Sequence, residues 1–128
     1  QMAIITNGIT ETQYGRLEAS GIGKYFDPII ISGEVGSQKP DPAIFEALFK
    51  KANFHNKKKA LIIGDSLTSD MQGGINFGID TCWYNPESKP PNPDIPVSYE
   101  IRNLSEILRI AGSKYQENTI KKQSFPTQ

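Results

Sequence analysis

The stretch Leu61-Ile62-Ile63-Gly64-Asp65-Ser66-Leu67-Thr68-Ser69-Asp70 decides the fold: an apolar run stops at a glycine and delivers two carboxylates five residues apart. Apolar residues without polar alternation suit a parallel strand covered on both faces. Ser66 or Thr68 then caps a helix that carries Asp70, and Asp65 sits at the strand's C-terminal end. Open α/β sheets bind ligands in the crevice beyond those ends, and two acids aimed there suit a hard cation such as Mg²⁺. A plainer reading has Asp65 shaping the turn and Asp70 favouring the helix N-terminus.

Outward from that strand, length and composition set bounds. The chain has 128 residues, with 14 basic side chains against 14 acidic, so it is neutral and one domain in size. A polyanion partner is not expected, and the run Lys57-Lys58-Lys59 lacks the interleaved aromatics of a nucleic-acid surface. The single Cys82 excludes an intramolecular disulfide and any multi-cysteine metal site, and between Thr81 and Trp83 it reads as a small hydrophobe in a strand. No apolar run approaches the roughly 18 residues of a membrane span, and no signal segment opens the chain. A cytoplasmic protein without membrane contact is the expectation.

The chain alternates strand and helix. Residues 2–6 read as a buried strand ending in Thr6-Asn7-Gly8, followed by a helix from Thr10 to about Gly21 with capping-box spacing between Thr10 and Gln13. A hydroxyl at a strand tip, beside exposed backbone N–H groups, can hold a phosphoryl oxygen, although an ordinary turn has the same residues. Residues 26–32 predict a third strand, a Gly-rich loop leads to Lys39-Pro40-Asp41-Pro42, and a helix with Asp41 as cap runs to about Asn53. Pro40 restricts the Lys39 backbone and so fixes where that cation departs. After Asp70 the helix continues through Gly73-Gly74, read as a close approach to the sheet, and stops at Gly78. Residues 79–84 predict another strand, 85–96 a proline-rich surface loop, and 99–101 and 104–110 an edge strand and a last helix. Residues 1–112 form the expected core. Residues 113–128 are polar, with Tyr115, Ile120 and Phe125 to bury, and predict a flexible or loosely docked tail.

Thr6-Asn7, Lys39 and Asp65 with Asp70 thus each stand at or beyond the end of an apolar strand. A hydroxyl, a cation and a carboxylate-held metal in one crevice are what a transferring phosphoryl group needs. Ile4-Ile5-Thr6-Asn7-Gly8, Gln38-Lys39-Pro40-Asp41-Pro42-Ala43-Ile44-Phe45 and Ile62-Ile63-Gly64-Asp65-Ser66-Leu67-Thr68-Ser69-Asp70 resemble the second, third and fourth motifs of the haloacid dehalogenase-like (HAD) hydrolase superfamily, subfamily I. The likeness is strongest to its pyrimidine 5′-nucleotidase branch and spans residues 2–111. It implies a Rossmann-like three-layer α/β/α core with a parallel sheet, and a Mg²⁺-dependent phosphomonoesterase working through an aspartyl-phosphate on small phosphorylated substrates such as nucleotides. By the resemblance Thr6 binds the phosphoryl group, Asn7 orients it, Lys39 neutralises nucleophile and phosphate, and Asp65 binds Mg²⁺. Asp70 joins the metal site, either on the metal, through a water, or by holding Lys39.

One departure governs the rest. The family's first motif, Asp-x-Asp-x-Thr/Val, supplies nucleophile and general acid/base, and no Asp-x-Asp occurs here. The expectation is the C-terminal part of a longer phosphatase, lacking the first strand and the cap and inactive alone. The competing reading is a non-catalytic phosphate- or metal-binding module, a degenerate relative or a receiver-like domain, although receivers order their acids differently. The implied strand order is 5-4-1-2-3, with strand 1 missing between the strand ending at Thr6 and the one ending at Asp65. Five buried apolar side chains at roughly 1.5–3 kcal/mol each rival the roughly 5–15 kcal/mol that keep a domain folded. The gap is therefore expected to be filled by the upstream segment or by a strand exchanged from another copy, for which the tail is a source, or to close by direct pairing of its neighbours.

Overall fold

The computed structural model describes residues 1–112 and the backbone of 120–123. Strand β1 (Met2–Thr6) leads to helix α1 (Thr10–Ser20), β2 (Ile29–Ile31), the single turn α2 (Ser32–Val35) and helix α3 (Pro42–Ala52). Strand β3 (Ala60–Gly64) opens into a wide, π-type turn over Leu67–Met71 that continues as α4 (Gln72–Phe77). Then come β4 (Asp80–Tyr84), β5 (Tyr99–Ile101), α5 (Ile107–Ala111) and β6 (Ile120–Gln123). All pairings are parallel, in the order β2-β1-β6-β3-β4-β5.

Local chemistry explains most boundaries. Asp41 accepts from the Ala43 N–H at 2.9 Å and Pro42 occupies the first turn of α3, while Asn53 ends that helix in the left-handed conformation. Ser66 accepts from Ser69 N–H at 3.1 Å and so caps the turn after β3. The capping box expected at Thr10 and Gln13 does not form: Ile9 is the cap residue, without a side-chain hydrogen bond, because the Gln13 amide turns inward to the end of β1. Lys57 Nζ donates to the Phe77 carbonyl at 2.9 Å, at the negative end of α4, and lies over the Phe77 ring.

Helices cover both faces. Ala3, Ile5, Ile30 and Ile62 meet Ile44, Phe45, Leu48 and Phe77 of α3 and α4 on one side, and Leu61, Ile63, Cys82 and Ile101 meet Ile107 and Ile110 of α5 on the other. This is the three-layer α/β arrangement expected. Gly74 lets α4 lie on the sheet, since a Cβ there would be 2.7 Å from the Ile62 and Thr81 methyl groups. Cys82 is fully buried, and burial pushes its thiol up to about 12, so it packs as a neutral small side chain.

The gap in the middle of the sheet is filled by the chain's own residues 120–123. Met2 to Ile4 pair with 121–123 on one side, and Ala60 to Ile63 pair with 120–123 on the other. The expected loosely docked tail is corrected over these four residues; 113–119 and 124–128, with Tyr115 and Phe125, lie outside the described residues. The flanking strands do not close up, and no second copy is needed to satisfy their inner edges. Ile-Lys-Lys-Gln gave no strand signal because it has neither alternation nor an apolar run. What recruits it is two inner strand edges whose N–H and C=O groups require partners once buried.

Candidate active site

The site lies where β1 and β3 end. Lys39 leaves the loop before α3 and is 3% exposed. Its Nζ donates to Asp70 Oδ1 at 2.6 Å and to the Ile5 carbonyl at 3.1 Å, joining the two strand ends. Burial pushes the Lys39 pKa below its usual value, and the nearby carboxylates of Asp70 and Asp65 oppose that push. Asp70 is 1% exposed, and its second oxygen accepts from the Ser66 N–H at 3.1 Å. Gly64 makes room for it, because a Cβ there would overlap the Asp70 carboxylate.

Asn7 acts on Lys39 through the backbone. Its Nδ2 donates to the Lys39 carbonyl at 3.1 Å, and its Oδ1 accepts from the Lys39 N–H at 2.9 Å. This paired contact clamps the loop before α3 to the end of β1. Thr6 is fully buried, and its hydroxyl accepts from Gln13 Nε2 at 2.8 Å. Asp65 is the exposed member of the set, its backbone carbonyl held by the Trp83 indole N–H at 3.0 Å. Beside it opens a cavity of about 460 Å³ whose walls include Ser66, Thr68, Trp83 and Lys89.

Sequence reasoning therefore placed Thr6, Asn7, Lys39, Asp65 and Asp70 at neighbouring strand ends, and the structure puts them there. Of the three roles open to Asp70, holding Lys39 is the one the geometry describes, and each carboxylate oxygen keeps a lone-pair site beyond its contact with Lys39 or the Ser66 N–H. Asp65 suits Mg²⁺, an ion that takes one or two carboxylates and keeps waters and phosphate oxygens for its remaining positions. Among the described residues there is no cluster of three or more His, Cys, Asp or Glu side chains that could enclose a metal. Two contributors escaped the sequence reading: Gln13, whose spacing pointed to a capping box, and Trp83, which read only as a strand residue.

Residues 1–84 match the Haloacid dehalogenase-like hydrolase family. The chain belongs to that family. Among its HAD relatives, the HAD-hydrolase YfnB of Bacillus subtilis is 44% identical over 117 residues, 91% of this chain and 48% of YfnB. The pyrimidine 5′-nucleotidase PynA of Streptococcus pneumoniae is 44% identical over 103 residues, 80% of this chain and 44% of PynA. The pyrimidine 5′-nucleotidase YjjG of Escherichia coli is 37% identical over 110 residues, 86% of this chain and 49% of YjjG. The crystal structure of YfnB bound to magnesium superimposes with a TM-score of 0.81 at 45% identity, covering 84% of this chain and 47% of YfnB. The chain spans about half the length of the curated relatives it matches. Among the described residues, no helix of this HAD chain is long and apolar enough to cross a membrane.

Proposed function

We infer that this chain forms the phosphoryl-binding half of a cytoplasmic Mg²⁺-dependent phosphomonoesterase whose substrates include nucleoside 5′-monophosphates. The observation that carries the reading is the buried Lys39 ammonium, fixed by Asp70 and the Ile5 carbonyl at the junction of the two strand ends. A cation held this way in a low-dielectric site stabilises negative charge without first having to reorganise. The pyrimidine nucleotidases among the relatives support the substrate class.

In this reading the Thr6 hydroxyl donates to a phosphoryl oxygen, and Lys39 balances the charge of phosphate and nucleophile. Asn7 and Asp70 hold Lys39 from its backbone and its side chain, and Asp65 supplies a carboxylate oxygen to Mg²⁺. Bound there, the cation supplies positive charge to the phosphoryl oxygens as the ester bond breaks. No Asp-x-Asp occurs in the 128 residues, so the nucleophilic aspartate belongs to polypeptide outside them. Its carboxylate forms the new bond to phosphorus as the ester oxygen leaves with a proton, and water then cleaves the acyl phosphate.

The test is Mg²⁺-dependent phosphate release from p-nitrophenyl phosphate and nucleoside monophosphates, comparing this chain with a polypeptide extended by an Asp-x-Asp-x-Thr/Val strand and a helical cap. The extended form should turn over and the 128-residue chain should not. Equal turnover by both would remove the nucleophile from the missing segment, and activity in neither would favour a non-catalytic binding module.

A further inference from the structure

Gln13 is a buried polar side chain that the reading above leaves without a task. It lies in the first turns of α1 and is 3% exposed. Its Nε2 donates to Thr6 Oγ1 and to the Asn7 carbonyl, each at 2.8 Å, and its Oε1 lies 3.4 Å from Arg16 Nη1 on the same helix. An amide nitrogen has two protons, and both are directed at the Thr6-Asn7 turn. Gly8 lets the turn close down on this amide: its φ is +154°, and a Cβ there would stand 2.6 Å from Gln13 Nε2.

The consequence falls on the Thr6 proton. Oγ1 receives a hydrogen bond from Gln13, so the hydroxyl cannot donate back along the same line. The hydroxyl's own donor contact, to the Asn7 carbonyl, is long at 3.4 Å, a weak bond that a charged phosphoryl oxygen would outcompete. We propose that Gln13 is a positioning residue of the phosphoryl site: by donating to Thr6 Oγ1 it locks the Thr6 rotamer and turns the hydroxyl proton toward the phosphoryl oxygen. The proposal rests on the reading of Thr6 as a phosphoryl-binding hydroxyl and adds what makes that hydroxyl a donor. Glutamate is the informative replacement, because at neutral pH its carboxylate keeps the length and only accepts. The Thr6 proton would then be drawn inward, away from the ligand.

The experiment uses the 128-residue chain and two readouts. In the ligand-free protein, the Thr6 side-chain couplings measured by NMR should report one rotamer in the wild type and averaging in Gln13→Met, a variant of similar length and good helix propensity that also serves should Gln13→Glu fold poorly. Titration with inorganic phosphate at saturating Mg²⁺ should then show affinity lower by roughly ten-fold or more in Gln13→Glu, as for a lost hydrogen bond to a charged ligand, with Mg²⁺ affinity unchanged. In a Thr6→Val background the same change should cost nothing further. An unaltered Thr6 rotamer in Gln13→Met would overturn the proposal, and so would an equal loss of phosphate affinity with and without the Thr6 hydroxyl, which assigns Gln13 to the loop alone. A wild-type chain whose Thr6 is locked through Gln13 but which binds no phosphate would uphold the positioning and contradict the phosphatase reading.

Discussion

Lys39 and Asp70 form a buried ion pair, 2.6 Å long with both side chains about 2% exposed. The burial that pushes the Lys39 pKa down is the desolvation cost such a pair must offset, and it does so with the anchors at Ile5 and Ser66. Replacing Asp70 by Asn should therefore cost about 3–5 kcal/mol of folding stability in urea unfolding, because Lys39 is left buried opposite a neutral group. The double replacement Lys39→Met with Asp70→Leu should cost clearly less, since it removes both charges. Equal losses for the two variants would show that the pair is not what stabilises this corner. The sequence made Lys39 legible, because Pro40 stiffens the backbone beside it, and made Asp70 legible as an acid after a strand. It could not choose among the roles of Asp70, because five residues of spacing do not say which rotamer a carboxylate takes or what a missing Cβ at Gly64 makes room for. Gln13 was misdirected for a related reason: a capping box and an inward amide share the same spacing.

At the scale of elements, the strands and helices that bury an apolar face were legible, and two glycines show the physics of the rest. Gly74 of α4 sits on the sheet, and an added Cβ would press on Ile62 and Thr81 at 2.7 Å. Gly15 of α1 is exposed and would meet nothing within 4 Å. Alanine should destabilise at 74 by about 1–3 kcal/mol through overpacking and stabilise at 15 by about 0.5–1 kcal/mol through helix propensity. Opposite shifts in the thermal midpoint would confirm the contrast, and two shifts of the same sign would contradict the packing of α4. From sequence alone both positions are helical glycines; only the neighbour across the gap separates them. The turn over Leu67–Met71 was hidden in the same way, since the residues that widen it also fit an ordinary helix start.

For the whole molecule, the sheet's centre is the feature the sequence did not disclose. A buried parallel strand normally announces itself by apolar residues, and Ile-Lys-Lys-Gln does not, so 120–123 could be placed only by asking what the edges of β1 and β3 pair with. Removing 113–128 should leave both edges open, and the truncated chain should associate in size-exclusion chromatography or lose its cooperative unfolding. A truncated chain that stays monomeric with an unchanged midpoint would assign β6 no part in stability. The strand order around that centre brings Thr6, Lys39 and Asp65 to one end of the sheet, and the central claim is that they bind a transferring phosphoryl group there. The most direct measurement is steady-state phosphate release from a nucleoside 5′-monophosphate by the extended polypeptide, with and without the Lys39→Met substitution, at saturating Mg²⁺ and after chelation with EDTA. The account predicts that kcat falls by about 10²–10³ in Lys39→Met, the loss typical of one charge-stabilising donor, and that chelation abolishes activity in both forms. Unchanged kcat and KM in Lys39→Met at saturating Mg²⁺ would contradict it.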